Sequence, residues 1–186
     1  MKRRVIVVGG GPAGMMSAIT AAKEGAEVTI LEHNDRIGKK ILSTGNGRCN
    51  FTNEYQSPSE YRSDEQSFPW KVVSQFPYEE TLRFFEELGI MGKKKNGGLY
   101  PFSEQASAVL DVLRMEVERR RITVYTGVNV LEIKAVRNGF RVSAVSKEQG
   151  RKTFCGDALI LAAGSKAASK LGSDGSGYSL AKSMGH

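Results

Sequence analysis

Val5-Ile6-Val7-Val8-Gly9-Gly10-Gly11-Pro12-Ala13-Gly14 decides the fold of this chain. Four apolar residues in succession mark a strand buried on both faces. Gly9, Gly11 and Gly14 follow at Gly-x-Gly-x-x-Gly spacing, and Pro12 and Ala13 stand where a helix opens. The spacing has a mechanical reading. Gly9 permits a tight turn, Gly11 lets a pyrophosphate reach the backbone without meeting a Cβ, and Gly14 lets the helix pack close to the strand. Residues 12–24 read as that helix, with Ala18, Ala21 and Ala22 as a slim packing side. Val28-Thr29-Ile30-Leu31 is the next strand, so the unit is β-α-β and the sheet parallel. The helix N-terminus offers N–H groups and its positive dipole end to phosphates. Glu32 ends the second strand, where a carboxylate can accept hydrogen bonds from ribose hydroxyls. The same carboxylate repels a ribose 2′-phosphate, so this site suits FAD or NAD rather than NADP.

The bulk properties agree with a globular domain. The chain has 186 residues, 40% hydrophobic and 25% charged, which excludes long disorder, a collagen-like repeat and a disulfide scaffold. Length suggests one domain with a small extension. No run of about eighteen apolar residues occurs, so no membrane span is expected. Lys2-Arg3-Arg4 before Val5 to Val8 is too short a lead for a signal core. Lys plus Arg number 27 against 20 Asp plus Glu, a net charge of +7. That suits an anionic ligand, a nucleic acid or an acidic membrane surface without choosing among them. Lys93-Lys94-Lys95 and Arg119-Arg120-Arg121 read as solvated surface. Cys49 and Cys155 have neither CxxC spacing nor paired histidines, so no metal is expected. Two cysteines without a secretory signal imply the cytoplasm. No paired-carboxylate or Ser-His-Asp constellation is visible, and no catalytic residue is assigned.

Further along, residues 33–63 form a long polar loop rich in Gly, Asn, Ser and Thr, a length that is usually functional. Residues 78–88 read as a helix with Leu82, Phe85 and Leu88 on one side, and Asn96-Gly97-Gly98 as a turn. Residues 103–120 are a helix with Ser103 as N-cap and Ala106, Val109, Leu110, Leu113 and Val117 at helical spacing. Short strands follow at 122–125, 128–133, 140–145, 152–155 and 157–161, the last ending at Ala162-Ala163-Gly164. Phe68, Trp70, Phe76, Tyr78, Phe84 and Phe85 read as core or inter-domain packing rather than base-stacking platforms. The chain ends within or just after a helix, which reads as a fragment or truncated chain.

Two features favour FAD. Asp35-Arg36-Ile37-Gly38-Lys39-Lys40, after Glu32, resembles the extension that follows the acid in FAD enzymes of the glutathione-reductase type. Lys39 and Lys40 then either face the pyrophosphate or stay solvated. Phe154 to Gly164 resembles the later strand motif of those enzymes, with Ala163 in place of their Thr. The resemblance makes the strands at 122–155 a small β-meander and puts Val130 where backbone groups contact adenine. His33 either helps hold the adenosine end or is a solvated loop residue. NAD is the runner-up cofactor.

The most specific stretch is Gly38-Lys39-Lys40-Ile41-Leu42-Ser43-Thr44-Gly45-Asn46-Gly47-Arg48-Cys49-Asn50-Phe51-Thr52-Asn53. It resembles the signature of the YhiN/BaiN-like (HI-type) NAD(P)/FAD-dependent oxidoreductases. Gly98 to Ser103, Gly172 to Tyr178, Ala181 and Gly185-His186 resemble further segments of that family, so the resemblance covers the whole chain. Physically, Gly45 and Gly47 can turn backbone N–H groups toward an anion or flavin oxygens. Arg48 can supply fixed cationic donors. Cys49 and Asn50 either line the flavin ring or, for Cys49, fill a packed position.

The resemblance implies an α/β, Rossmann-like FAD-binding fold of the glutathione-reductase type: a parallel sheet with helices plus the β-meander. Residues 1–186 would be its first segment, incomplete at the C-terminus, with inserted and C-terminal segments of the family absent. It implies flavin-dependent hydride transfer with NADH or NADPH or an organic substrate as donor, and saturation or desaturation of ring or enone substrates as one possibility. The alternatives are a flavin-binding RNA-associated protein and a non-catalytic FAD-binding fragment. Partners beyond FAD and an unknown small substrate are not expected, neither membrane nor nucleic acid. The exception is self-association through the incomplete sheet edge.

Overall fold

The apolar run near the N-terminus becomes a strand hydrogen-bonded on both sides, as its continuous hydrophobicity requires. The computed structural model describes residues 1–146, 148, 150–167 and 169–186. In chain order the elements are β1 (Arg4–Val8), α1 (Pro12–Lys23), β2 (Glu27–Leu31), β3 (Thr52–Asn53), α2 (Ser67–Val73), α3 (Tyr78–Glu87), β4 (Gly92–Lys95), β5 (Gly98–Pro101), α4 (Ala106–Arg119), β6 (Thr123–Tyr125), β7 (Val128–Val136), β8 (Gly139–Ser146), β9 (Gly150–Gly156), β10 (Ala158–Leu161) and α5 (Ser176–Ser183). They form two compact units, Met1–Ile41 with Leu113–His186 and Leu42–Val112, whose boundary falls within α4. The single domain expected over 1–186 is thus two units in packing terms.

In the first unit a parallel sheet runs in the order β10-β1-β2-β6. The two-sided burial of β1 has one cover per face. Ile6, Val8 and Leu31 pack with Ile133, Val142 and Leu180, which brings the antiparallel β7-β8-β9 meander and α5 onto one face. By strand alternation Val5 and Val7 point to the other face, where α1 packs on β1, β2 and β10. The buried side of α1 is Gly14, Met15, Ala18 and Ile19. Ala21 and Ala22, expected on that side, are only half-buried. The meander is narrower than the expected 122–155: β6 pairs in parallel with β2 and belongs to the main sheet. Three residues were enough to find that place because Glu32 N–H donates to Tyr125 C=O at 2.8 Å, extending the ladder. Arg4 and Asp157 tie β10 to β1, with Arg4 N–H to Asp157 Oδ2 at 2.7 Å. β10 has β1 as its neighbour in the sheet and forms one edge.

The second unit holds a three-stranded antiparallel sheet, order β3-β5-β4. Asn96 and Gly97 both have positive φ (51° and 80°), as a two-residue hairpin between β4 and β5 demands. The aromatic cluster divides. Phe84 and Phe85 are buried, and Phe85 meets Phe51 at 4.6 Å between ring centroids. Phe68 and Phe76 are exposed instead, and α2 was not foreseen because Pro69 interrupts its short pattern. The helix expected from residue 103 starts at Ala106. Glu104 has φ +52°, and Ser103 Oγ accepts only a long 3.4 Å bond from Gln105 N–H, so Ser103 closes a turn instead of capping the helix.

Both basic clusters are largely paired. Lys93 contacts Glu104, and Lys94 reaches Glu54 at 2.8 Å. Arg119 and Arg120 converge on buried Glu116, at 2.7 and 2.5 Å through their Nε atoms. The Arg119 hydrogen bonds, reinforced by Arg120, hold the Glu116 carboxyl below the usual carboxylate range. A lowered folded-state pKa stabilises the fold above the ordinary carboxylate pKa, and that stabilisation is lost as pH falls through the folded value. Glu116→Gln is therefore expected to lower the urea midpoint at neutral pH, with the gap to wild type closing below about pH 4. A gap independent of pH contradicts this pairing. In the core, Ile30→Ala is expected to cost about 2–5 kcal/mol by urea denaturation, since Ile30 is 0% exposed.

Candidate dinucleotide-binding site

The β1–α1 turn contains four glycines whose reasons differ. A Cβ at Gly9 would run into Ala162 C=O, one at Gly10 into the Ile37 side chain, and one at Gly14 into Gly9 C=O. These three are glycines because protein atoms occupy the space. Gly11 is different: among the described residues nothing lies within 4 Å of where its Cβ would be, and its φ of −72° is one any residue adopts. Packing and backbone conformation give no reason for a glycine at this position. Gly11 is also the N-cap of α1, without a side-chain cap, with Pro12 at the first position and no acid in the first turn. Pro12 and Ala13 are exposed. The positive end of α1 is thus open to an anion.

Glu32 is 5% exposed at the end of β2. Its Oε2 accepts from Gly10 N–H at 2.6 Å, and its Oε1 from Asn34 N–H at 2.8 Å and Asn34 Nδ2 at 2.7 Å. Exposed His33 lies beside it, Nδ1 at 3.3 Å from Oε1. The loop beyond is pinned by Gly38 N–H to Gly10 C=O at 2.8 Å and by Arg114 Nη2 to Ile37 C=O at 2.6 Å. Lys39 pairs with Asp35 at 3.4 Å. Lys40 donates to Ala167 C=O and Ser173 Oγ, both at 2.8 Å, so its ammonium ties down the segment after Gly164. Gly164 has φ +78°, and a Cβ there would press on Ser173 at 3.0 Å. A Cβ at Gly177 would meet Ala163 at 2.9 Å. Val130 sits at a β-bulge on β7, an edge of the meander, where among the described residues one side of the backbone has no neighbouring strand. Asn34 and Arg114 were missed from the sequence, and Gly172 and Ser173 were read there only as part of a family segment. Only the placement of Asn34 two residues past a strand-ending acid carried a local signal, the Asx-turn habit.

The other candidates lie in the second unit. Gly45, Asn46 and Gly47 are consecutive left-handed residues, at φ 54°, 54° and 80°. The turn is closed by Arg48 N–H to Gly45 C=O at 3.2 Å and Cys49 N–H to Thr44 C=O at 3.0 Å. A Cβ at Gly45 would crowd Asn50 N at 2.9 Å, whereas Asn50 itself is exposed. Arg48 lies over the Tyr100 ring at 5.8 Å, with Glu104 at 3.9 Å. Cys49 is buried, and burial pushes its thiol above the ordinary value, against a lowering hydrogen bond with Thr44. That is a packed thiol rather than a nucleophile. Among the described residues no group of His, Cys, Asp and Glu is arranged to hold a metal, and no helix is long and apolar enough to cross a membrane.

The model of the HI0933-like protein Rossmann domain matches residues 3–186. The chain belongs to this family. The resemblance read from residues 38–53 named the same group. Among similar proteins, the 3-dehydro-bile acid Δ(4,6)-reductase of Clostridium scindens is 48% identical over 185 residues, which cover 98% of this chain and 44% of that protein. The ribosomal RNA dihydrouridine synthase of Escherichia coli K12 is 29% identical over 97% of this chain and 44% of that protein. The chain thus spans under half the length of these curated relatives. Among solved structures, the 3-ketosteroid-Δ4-(5α)-dehydrogenase from Rhodococcus jostii RHA1 covers 88% of this chain and 46% of its own at TM-score 0.67 and 14% identity. A flavocytochrome c3 fumarate reductase covers 91% and 35% at TM-score 0.64 and 17% identity. At such identities the likeness is one of fold, and it is the Rossmann-type FAD-binding fold.

Thiol labelling tests the two cysteine environments. In the native chain Cys155, exposed, is expected to react with a disulfide reagent at least about tenfold faster than buried Cys49, which should label only on unfolding. Equal rates would contradict the packed assignment.

Proposed function

We propose that the chain binds FAD and serves a flavin-dependent oxidoreductase, with residues 1–186 acting as the first segment of one FAD-binding domain. The observation that carries the reading is Gly11, a glycine with no reason in the protein's own packing, at the open N-terminus of α1. In this reading Gly9, Gly11, Pro12, Ala13 and Gly14 receive the pyrophosphate, and the helix dipole offsets its charge. Glu32 accepts from the ribose and repels a 2′-phosphate. Val130 offers edge backbone groups to the adenine, and Ala163-Gly164 follow the end of β10 near the cofactor. His33, Lys39 and Lys40 shape the loop around the adenosine end. Gly45, Gly47, Arg48, Cys49 and Asn50 serve the flavin end, Arg48 as a fixed cation and Cys49 as packing. When bound, the flavin supplies hydride transfer, with NADH or NADPH as electron donor.

For the substrate, the relatives' names share one chemistry. A Δ(4,6)-reductase and a dihydrouridine synthase both add two hydrogens across a carbon–carbon double bond of a ring. We infer reduction of such a bond conjugated to a carbonyl, in the cytoplasm, where free thiols such as Cys49 and Cys155 persist. A second reading, RNA as the substrate, is favoured by net charge +7 and by the synthase relative. The two separate by salt: RNA retention should fall steeply with ionic strength, and retention that ignores salt sinks the RNA reading. Self-association along β10 fits either reading.

The test is an absorbance spectrum of the purified chain, with chromatography of what heat releases. Flavin bands and released FAD are expected. Gly11→Ala should weaken FAD binding at least about tenfold, because its Cβ fills the approach, and should leave the apo melting temperature within about 2 °C. A chain that is colourless and takes up no added FAD refutes the reading.

A further inference from the structure

The acid at the end of β2 is crowded with protein donors, and they divide unequally. Oε1 accepts from both Asn34 N–H and Asn34 Nδ2, at 2.8 and 2.7 Å, with His33 Nδ1 at 3.3 Å. Oε2 accepts, among the described residues, from Gly10 N–H at 2.6 Å. Each carboxylate oxygen has two lone-pair directions. Oε1 is therefore filled, and Oε2 keeps one direction open.

We propose that Asn34 is a positioning residue that makes Glu32 read one ribose hydroxyl rather than two. It fills Oε1, fixes the carboxylate plane, and leaves a single acceptor on Oε2 for the dinucleotide. This rests on the dinucleotide reading above and adds the specificity of that site. Asn34 is itself held for the task. Its C=O accepts Gly127 N–H at 2.8 Å. A Cβ at Gly172 would run into its carboxamide, so the chain keeps that space clear. The sheet does not need the carboxamide: Glu32 N–H to Tyr125 C=O and Val128 N–H to Glu32 C=O, at 2.8 and 2.9 Å, carry the backbone there.

The experiment is calorimetric titration of ADP, 2′-deoxy-ADP and 3′-deoxy-ADP into the purified chain, with FAD as reference. In wild type, one deoxy analogue should bind about tenfold more weakly than ADP and the other within about twofold, because one hydroxyl has an acceptor on Glu32. In Asn34→Ala the Nδ2 donor is lost while the backbone N–H of residue 34 stays on Oε1, so one direction on Oε1 opens and the two analogues should come within about threefold of each other. Asn34→Asp puts a second carboxylate beside Glu32 and should weaken ADP itself more than about tenfold. A merely structural role for Asn34 would shift melting temperature without changing the preference between analogues. Equal losses for both analogues in wild type overturn the proposal without need of any variant, as does a preference unchanged in Asn34→Ala. A chain that binds neither ADP nor FAD overturns the dinucleotide reading, and this inference with it.

Discussion

A buried carboxylate governs the first unit. Glu32 is almost wholly removed from water, and a charge in that position is tolerated only with donors around it. The donors come from separate parts of the chain: Gly10 in the β1–α1 turn and Asn34 in the loop after β2. Satisfying one charge therefore joins the glycine-rich β1–α1 turn to the end of β2, and Asn34 passes the link to Gly127 at the start of the meander. The close crossing of α1 over β1 is the steric half of the same arrangement, because Gly14 brings the helix against Gly9 C=O.

Given that anchor, the remaining parts of the unit have few places to go. β1 must be covered on both faces, and α1 covers one while the meander with α5 covers the other. The segment from Ala163 to Gly177 consists largely of small residues, and the spaces they leave are filled by Ser173, Asn34 and the Lys166 side chain. Lys40 then holds this segment through Ala167 and Ser173. The sequence left Lys40 either facing a pyrophosphate or solvated, and in the folded chain its ammonium donates to this segment.

The second unit obeys a different constraint. Its signature loop runs through three successive left-handed residues, and only Asn46 among them carries a side chain. The loop is closed by its own backbone and faces the β3-β5-β4 sheet through Phe51 N–H to Leu99 C=O at 3.0 Å. Arg48, Lys93 and Glu104 form a surface charge group, so the basic run on β4 is a guarded sheet edge as much as an electrostatic patch.

Much of this was legible in the residues. The apolar run, the glycine spacing and the acid after β2 are local, and local backbone sterics and hydrogen-bond needs act on them wherever they occur. So the β-α-β unit, its parallel sheet and the glycine-rich turn between β1 and α1 followed directly. The Asn96-Gly97 hairpin was equally local. Other features depended on residues far apart in the chain. β6 looked like a meander strand until Tyr125 paired with Glu32. Nothing near Asn34 in sequence foretells Gly172, whereas Arg119 and Arg120 meet Glu116 at i,i+3 and i,i+4, a spacing that the sequence itself carries. Pattern specifies which element forms, because that energy is paid within a few residues. Which donor satisfies which buried charge is decided only when the sheet has brought distant segments together.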